Sequence, residues 1–216
     1  ETLNQWQHIV FTWDGSSVTT NIKIYRDGKE VSGTSGNNGA GNRVSDISES
    51  LIIGNDSGQA RTFDGLIDDV RVYSKVLSAS EIQTLYKSGA AKFAPPSNTG
   101  LVGYWSFDEG AGTKANDGSG NRNQGTLTNM DSATDWVSGK RGKALDFDGS
   151  NDAINISDSV SVQNLPTLTI SAWIYPRSFG GATFGRIVDK GSNGYEFAFD
   201  NTIVSGSFYF ACQFSV

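Results

Sequence analysis

The sequence has few cysteine, histidine and methionine residues and no long apolar run. Its 216 residues include one Cys, one His and one Met. Cys212 has no partner for an internal disulfide, so cysteine usage indicates neither an oxidising nor a reducing compartment. No apolar run approaches the roughly 18 residues that a membrane helix needs, and the segment ETLNQWQ at the start has no signal-peptide character. We therefore expect no membrane insertion.

Basic residues are too scattered for a nucleic-acid-binding surface, and catalytic constellations are absent from the sequence pattern. The formal charge is −6, the sequence pI is near 4.7, and Lys and Arg form no stripe. Glu49, Glu109 and Glu196 each stand alone in the sequence, whereas a retaining glycosidase needs two carboxyl groups about 5–5.5 Å apart. The sole histidine, His8, lies in a strand pattern and is expected to be structural. We predict a protein that is neither an enzyme nor a nucleic-acid binder.

Glycine and aromatic residues, in contrast, are abundant. The 26 Gly, 5 Trp, 7 Tyr and 12 Phe favour strands joined by tight turns. One Ser-capped segment at helical spacing predicts a short helix near 79–87. Alternating or apolar segments predict strands at 6–13, 21–25, 51–54, 63–73, 102–107, 144–147, 153–156, 168–175, 186–189, 195–199 and 207–214.

Two stretches read as connections. Residues 33–46, GTSGNNGAGNRVSD, are polar and glycine-rich, which is typical of a binding loop or of a tolerated surface excursion. Residues 90–100 contain the adjacent Pro95 and Pro96 among small polar residues, which indicates a linker.

Two sets of motifs share the features of one known family. The first set is GLVGYWSFDEGAGTKANDGSGNRNQGTL, GKALDFDGSNDAINI and LTISAWIYP; the second is WQHIVFTWDG, IKIYRDGKEV, LIIGND and FDGLIDDVRVYSKVLSASEIQTLY. The first set resembles the opening half, and the second the closing half, of laminin-G-like jelly-roll domains of the concanavalin A-like lectin/glucanase superfamily. This resemblance implies an all-β fold, a two-sheet antiparallel jelly-roll sandwich.

The two halves stand in reversed order. We expect one domain over 1–216, with the family's closing half at 1–89, a linker at 90–100 and the opening half at 101–216. Chain ends often lie close together at a domain surface, which makes circular permutation tolerable. Two explanations stay open: a circular permutant that closes on itself, or a repeat cut out of phase from a tandem array, whose halves pair with neighbouring or identical copies.

Calcium is the cofactor that we expect, in a structural role. Asp117, Ser119, Asn121 and Asn123 place oxygen-bearing side chains on alternate residues of a glycine-containing loop, a pattern that suits the six to eight oxygen ligands of calcium. Further ligands would come from Asp108 or from the Asp68–Asp69 pair. The resemblance implies the same region, because related carbohydrate-binding jelly-rolls commonly hold a structural calcium between their first and last strands.

The Asp68–Asp69 pair is also unusual in itself. Successive strand residues face opposite sides of a sheet, so one carboxylate would point inward unless a bulge intervenes, and a buried carboxylate needs a partner or a metal. The alternative is that both are exposed at the start of the strand. A third oxygen-rich group suits either a metal site or a turn; it comprises Asp146, Asp148, Ser150, Asn151 and Asp152.

Candidate ligand-binding residues fall into two groups. Trp136 and Tyr25 are the aromatic residues that we expect to be exposed as sugar-stacking platforms, whereas Trp6, Trp13, Trp105 and Trp173 lie in strands and are assigned to the core. The resemblance implies a rim position for calcium-assisted ligand binding, loosely matched by Asn55, Asp56, Ser192 and Asn193.

The function expected from fold and residues together is a noncatalytic binding or adhesion module at the cell surface or outside the cell. Its partner would be a carbohydrate or an extracellular protein. The alternatives are a structural repeat of an extracellular stalk or filament and, third, a glycoside-active jelly-roll enzyme. Fold analogy supplies most of this expectation.

Overall fold

The computed structural model describes residues 3–31, 42–88, 98–181, 184–200, 207–212 and 214–215, and it is almost entirely β-structure. One α-helix, α1 (Ala79–Ser88), and one short 3₁₀ turn at Thr19–Asn21 are present in these ranges. The strands are β1 (Gln7–Trp13), β2 (Lys23–Arg26), β3 (Lys29–Glu30), β4 (Asn42–Arg43), β5 (Leu51–Ile53), β6 (Asp64–Tyr73), β7 (Leu101–Trp105), β8 (Lys114–Ala115), β9 (Gly125–Thr128), β10 (Trp136–Ser138), β11 (Lys143–Asp148), β12 (Ala153–Ile156), β13 (Leu168–Pro176), β14 (Phe184–Asp189), β15 (Tyr195–Asp200), β16 (Ser207–Cys212) and β17 (Phe214–Ser215).

These strands form two antiparallel sheets and one small ribbon. The eight-stranded sheet runs β10-β11-β6-β13-β1-β2-β3, with β7 also paired to β6. The seven-stranded sheet runs β16-β15-β14-β5-β12-β9-β8, and β17 pairs with β4. The predicted two-sheet antiparallel fold is therefore confirmed. Strands β3, β4, β8, β9 and β10 were not predicted, because these short segments lack the apolar runs or alternation by which β2, β5 and β12 were recognised.

Both sheets contribute to one apolar core. Alternate residues of β1 and β13 on one side, and of β5 and β12 on the other, belong to the same buried cluster. Among the largest fully buried side chains are Trp13, Trp105, Phe11, Phe147 and Phe197. Burying such residues stabilises the fold by about 25 cal/mol for each Å² of apolar area that is removed from water. The strand pattern and the packing thus support the same fold.

Helix α1 lies outside this core and covers the eight-stranded sheet. Ser78 and Glu81 cap its start reciprocally: the Glu81 amide donates to Ser78 Oγ at 3.3 Å, and the Ser78 amide donates to Glu81 Oε2 at 2.8 Å. Ile82 and Leu85 pack with Val10 and Tyr73 in a second buried cluster. The helix predicted near 79–87 is confirmed, because capping and periodicity are both local signals.

Strand β6 contains a bulge at the acidic pair. Asp68 pairs with Trp173 and Arg71 with Ser171, so two residues of β6 lie opposite one residue of β13. Asp69 has φ of 56°, and the bulge leaves both carboxylates buried, at 0% and 4% exposure. The alternative that both are exposed is wrong, because β6 is an interior strand with neighbours on both sides.

The chain folds as two interleaved segments. The first segment (residues 3–88) supplies β1–β6 and α1, and the second segment (residues 98–215) supplies β7–β17. Strands of the second segment flank β6 on both sides, and β5 of the first segment lies between β12 and β14. Strand β7 pairs directly with β6 across the predicted linker. The assignment of these segments to reversed family halves stays a prediction.

Polar contacts also fasten the first segment to the second. The fully buried Asp46 accepts a hydrogen bond from Arg43 at 2.6 Å and another from the main-chain amide of Asn164 at 2.6 Å. Arg43 in turn donates to the Leu165 carbonyl at 2.6 Å. The buried Lys190 ammonium bonds Asp158 at 2.9 Å and also donates to the Glu49 carbonyl.

No helix in the described ranges combines the length and the apolar character that crossing a membrane would require. The described residues do not cover the predicted loop at 33–40 or most of the linker, so the alternative readings of the 33–46 loop stay open.

We expect Asp46→Ala to lower the free energy of unfolding by about 3 kcal/mol, because it removes one partner of a buried ion pair and leaves Arg43 uncompensated. Glu30→Ala is the matched control, since it breaks an exposed ion pair with Lys23 worth about 0–1 kcal/mol. Urea unfolding of both variants measures the difference. Equal losses would show that Asp46 does not fasten the two segments.

Candidate functional site

The predicted calcium loop is held by its own hydrogen bonds. The Asp117 carboxylate accepts main-chain N–H groups of Tyr104 at 3.0 Å, Ser119 at 2.8 Å and Asn123 at 2.9 Å. The Ser119 hydroxyl donates to Asp117 Oδ2 at 2.8 Å, and it also lies 3.1 Å from the Val102 carbonyl. Asp117 therefore organises the loop against β7 through bonds that already occupy its oxygens.

The two asparagines of this loop contact the same strand. Asn121 donates to the carbonyls of Leu101 and Val102 at 3.3 and 3.2 Å, and Asn123 donates to Val102 at 2.7 Å. The Asn123 side-chain oxygen accepts from the Ser159 hydroxyl at 2.6 Å. In the described ranges, no three His, Cys, Asp or Glu side chains form a group that could hold a metal ion.

A second set of predicted ligands meets at residues 139–143. The main-chain amide of Arg141 donates to Asp68 Oδ2 at 2.8 Å, and that of Lys143 donates to Asp108 Oδ1 at 2.9 Å. Asp69 bonds Arg71 at 2.9 Å and lies 3.7 Å from Arg141. The structure thus brings Asp68 and Asp108 to one loop, whereas Asp69 forms ion pairs with Arg71 and Arg141.

Two glycines make this close approach possible. A Cβ at Gly139 would lie 2.7 Å from Asp68 Oδ2, and a Cβ at Gly142, where φ is 57°, would lie 2.0 Å from Asp108 Oδ1. Any other residue would push the loop away from the carboxylates.

Asp68 is the most perturbed carboxylate near this loop. Burial, together with the charges of Asp69 and Asp108, raises its pKa to about 7, and the hydrogen bond from the Arg141 amide opposes this rise. Its Oδ1 atom is buried and has no hydrogen-bond partner within the described part of the chain. A buried carboxylate oxygen without a partner is unfavourable, which suits an additional positive ligand at this position.

The residues beside Asp68 form a buried aromatic group on the outer face of the eight-stranded sheet. His8 pairs with Trp173 across β1 and β13, and Trp173 pairs with Asp68 across β13 and β6. The ring of Tyr86 stacks on that of Trp173 with 5.7 Å between the ring centroids. The Lys140 ammonium lies 4.7 Å from the centroid of the Trp173 ring. Trp173 is buried as predicted, but beneath α1 and this loop instead of between the sheets.

His8 is structural, in agreement with the prediction. Its Nε2 lies 2.9 Å from Ser171 Oγ, and burial together with the positive charge of Arg71 lowers its pKa to about 3. The ring is therefore neutral at physiological pH. Trp13 and Trp105 are in the core as expected, whereas Trp6 is only half-buried and contacts Tyr175 edge-on.

The aromatic residues predicted as sugar platforms are buried. Trp136 is 5% exposed, belongs to the main core and donates from Nε1 to the Gly112 carbonyl at 2.9 Å. Tyr25 is also 5% exposed and packs with the helix cluster. The prediction that these two rings are exposed is wrong, because neighbouring loops and α1 cover positions that look peripheral in the sequence.

The predicted rim residues lie in two separate loops. Asn55 is fully buried and bonds Thr62 at 2.9 Å, while Asp56 accepts the amide of Ala60 at 2.9 Å. Exposed Asn193 donates to Glu49 at 3.0 Å. Asn55 and Asp56 therefore fix the turn after β5, and their role with Asn193 in ligand binding stays a prediction.

The third oxygen-rich group makes contacts typical of a turn and an ion pair. Asp146 forms a bidentate pair with Arg177 at 2.6 and 3.0 Å, and Asp148 accepts the Ser150 amide at 2.7 Å. Asp152 is buried and accepts the Asp148 amide at 2.9 Å. The main-chain carbonyl of Asn151 accepts from Asn129 at 3.0 Å.

The seven-stranded sheet presents a polar row that was not found in the sequence. Because Leu127, Ile154, Ile156, Leu51 and Ile53 face the core, their alternate neighbours face outward. Directly paired outward positions cross the whole sheet in the order Lys114, Thr126, Asn155, Ile52, Asp189, Glu196 and Ala211. We call this set the polar row.

The exposed end of the polar row comprises Lys114, Thr126 and Asn155. Lys114 and Asn155 are exposed and Thr126 is half-buried, and Lys114 donates to the Thr126 hydroxyl at 2.7 Å. The side-chain amide of Asn155 makes no hydrogen bond to any other residue of the described ranges. Its donor and acceptor are thus available to a ligand.

The other end of the row is charged. Asp189 and Glu196 lie directly opposite each other, and both contact the buried Arg186, with Arg186 Nε 3.3 Å from Asp189 Oδ2. Burial raises the pKa of Asp189 to about 6, although Arg186 opposes this shift. Glu196, which stands alone in the sequence, is therefore paired in the fold.

Asp152→Asn tests the acidic turn. Burial, then the charges of Asp148 and Asp135, raise the Asp152 pKa to about 6 from 3.8. The native state therefore binds this proton more tightly than the unfolded state does. The associated stability is fully present below pH 3.8 and is lost as pH rises through 6. We expect the variant to be more stable than the native chain by about 1–2 kcal/mol at pH 7, and not at pH 4. Urea unfolding across this range measures it, and a pH-independent difference would contradict it.

Comparison with known proteins gives one family match. The sequence model of the Laminin_G_3 family, described as the Concanavalin A-like lectin/glucanases superfamily, matches residues 1–83. No curated protein and no solved structure matched the chain significantly. The matched part includes β1–β6 and the start of α1. Residues 1–83, fewer than half of the 216 residues, are thus similar to the Concanavalin A-like lectin/glucanases superfamily and lie within a two-sheet antiparallel fold.

Proposed function

We propose that the chain is a noncatalytic binding module of a secreted or cell-surface protein, and that it binds carbohydrate on the outer face of the seven-stranded sheet. The observation that supports this proposal most is the exposed end of the polar row, where the side-chain amide of Asn155 is exposed and has no hydrogen-bond partner among the described residues. The jelly-roll connectivity and the permuted order of its halves belong to the same proposal.

The chemistry of the polar row suits a chain of hydroxyl groups. The ammonium, hydroxyl and amide groups of Lys114, Thr126 and Asn155 follow one another at the spacing of adjacent strands, roughly 4.8 Å. The buried Ile52 separates them from the carboxylates of Asp189 and Glu196. An oligosaccharide presents hydroxyl donors and acceptors at similar intervals along its length. Directional polar groups of this kind fix ligand orientation in binding sites.

Carboxylates at the charged end support binding more than catalysis. Arg186 contacts both Asp189 and Glu196, and Asp189 Oδ1 also accepts the Gly191 amide at 2.7 Å. A carboxylate that is 4% exposed and engaged in this way is poorly placed to exchange protons with a substrate. Glu196, whose side chain is 23% exposed, is the member of this pair that is accessible to a ligand, and Arg186 holds it in place.

Asn155→Ala is the direct test on a glycan array. For any glycan that the native chain binds, we expect about a three- to tenfold loss of affinity, since one hydrogen bond contributes about 0.5–1.5 kcal/mol. Gln83→Ala removes an exposed amide from α1 on the other side of the sandwich and should leave binding unchanged. Unchanged melting temperatures verify that both variants fold.

An array without binding would contradict the carbohydrate proposal and would favour the structural-repeat alternative. Equal effects of Asn155→Ala and Gln83→Ala would show that the ligand does not lie on the polar row.

We also infer that Asp68 and Asp108 hold a structural calcium ion beside residues 139–143. The buried Asp68 Oδ1 lacks a partner among the described residues, and the charge of Asp108 acts on the same carboxylate. Calcium would supply the positive charge that these carboxylates lack and would take its other oxygen ligands from main-chain carbonyls or water. Asp69 contributes less to this inference, because arginines already neutralise it.

Thermal melting with calcium and with a chelator tests the ion. At a calcium concentration of about 100 times Kd, binding to the native state alone adds about 2.7 kcal/mol, and we expect a clear rise in melting temperature. Asp68→Asn should abolish the calcium-dependent rise, and its own chelated form should melt no lower than the chelated native chain, because a like charge is removed.

Asp117→Asn separates the two candidate positions. If calcium binds at Asp68, this variant keeps the calcium-dependent rise even where its absolute melting temperature falls. Loss of the rise in Asp117→Asn alone would move the ion to the 117–123 loop, and no rise in the native chain would contradict a structural calcium.

A further inference from the structure

The two segments of the chain meet along most of its sheet structure. In the described ranges the first segment is joined to the second by the pairings β6–β13, β6–β11, β6–β7, β1–β13, β5–β12, β5–β14 and β4–β17. The long β6–β13 and β1–β13 seams form the middle of the eight-stranded sheet. The two segments are therefore held together by main-chain pairing of strands in both large sheets and in the small ribbon.

Each segment by itself retains only fragments of the sheets. Within the first segment, the described pairings are β1–β2 and β2–β3, so β5 and β6 lose their neighbours. Within the second segment, β7, β13 and β17 lose theirs, and the remaining strands form three unconnected groups. Unpaired strands with apolar faces seek a partner.

Buried polar groups make the interface specific. Asp46 of the first segment bonds Asn164 of the second, and Asp68 accepts the amide of Arg141. Lys190 of the second segment donates to the Glu49 carbonyl of the first. Asp46, Asp68 and Lys190 are buried and would lose these partners if either segment paired out of register.

We propose that a second copy of this chain can supply either segment, giving an exchanged dimer in which residues 3–88 of one copy fold with residues 98–215 of the other. All the contacts above are satisfied equally by a segment from the same chain or from a partner chain. Exchange of identical elements is a low-cost route to dimers for this reason.

The two segments are joined through residues 89–97, which contain the adjacent Pro95 and Pro96. The balance between the closed monomer and the exchanged dimer then depends on protein concentration during folding, because only the dimer requires two chains.

A disulfide trap tests this proposal on the full chain. Val72 of β6 and Ile170 of β13 are register partners, and both are buried in the core. In a Cys212→Ser background, one chain carries Val72→Cys and another carries Ile170→Cys. The two are unfolded together, refolded at high concentration and oxidised. An interchain disulfide at twice the chain mass is expected, because these positions meet between chains only after exchange.

Two controls define the outcome. A mixture of two differently tagged Val72→Cys chains places both thiols on the first segment and should give no band above background. Mixing the already folded Val72→Cys and Ile170→Cys chains should give less dimer than refolding them together. If co-refolding yields no more disulfide dimer than the Val72→Cys mixture, while near-UV circular dichroism shows folded protein, the proposal is overturned.

Discussion

The pairing of β6 with β13 is the interaction on which the rest of the structure depends. It joins the two segments in the middle of the eight-stranded sheet, and it aligns Ile67 with Ile174 and Val72 with Ile170. These residues face the common core, whose burial provides the main favourable free energy of folding. Because β11 and β7 share the other edge of β6, this one strand determines the register of its neighbours on both sides.

The bulge in β6 connects this packing to the chemistry on the outer face. It keeps Asp68 and Arg71 beside Trp173 and Ser171 without disturbing the core-facing residues around them. The cost is a buried carboxylate with a raised pKa and an oxygen without a partner in the described ranges. Bulges often re-aim side chains next to functional sites, and the main-chain amide of Arg141 and the two glycines of the 139–143 loop are arranged around this one.

The two faces of the sandwich differ in what they offer a ligand. Helix α1 and the 139–143 loop cover much of the outer face of the eight-stranded sheet, so His8 and Trp173 are buried there. The outer face of the seven-stranded sheet keeps Asn155 and Lys114 exposed in the polar row. An open face with uncommitted polar groups is better suited to an extended polar ligand than a covered aromatic group.

Local patterns in the sequence predicted the elements well and the sites less well. The long strands and α1 follow from alternation, turn residues and a capping box, all of which act within a few residues. The spacing of Asp117, Ser119, Asn121 and Asn123 also suggested a metal loop, but spacing does not reveal that hydrogen bonds to β7 occupy these groups.

By itself, the sequence determined an antiparallel β-protein with one capped helix and an apolar core, whereas the burial of His8 follows from the fold. Only the tertiary structure decided that Trp136 and Tyr25 are covered, that Asp68 and Asp108 meet at one loop, and that Asn155 and Glu196 share one row. The physical reason is that exposure and cross-strand register depend on residues distant in the chain, whereas strand and helix formation depend mainly on residues nearby.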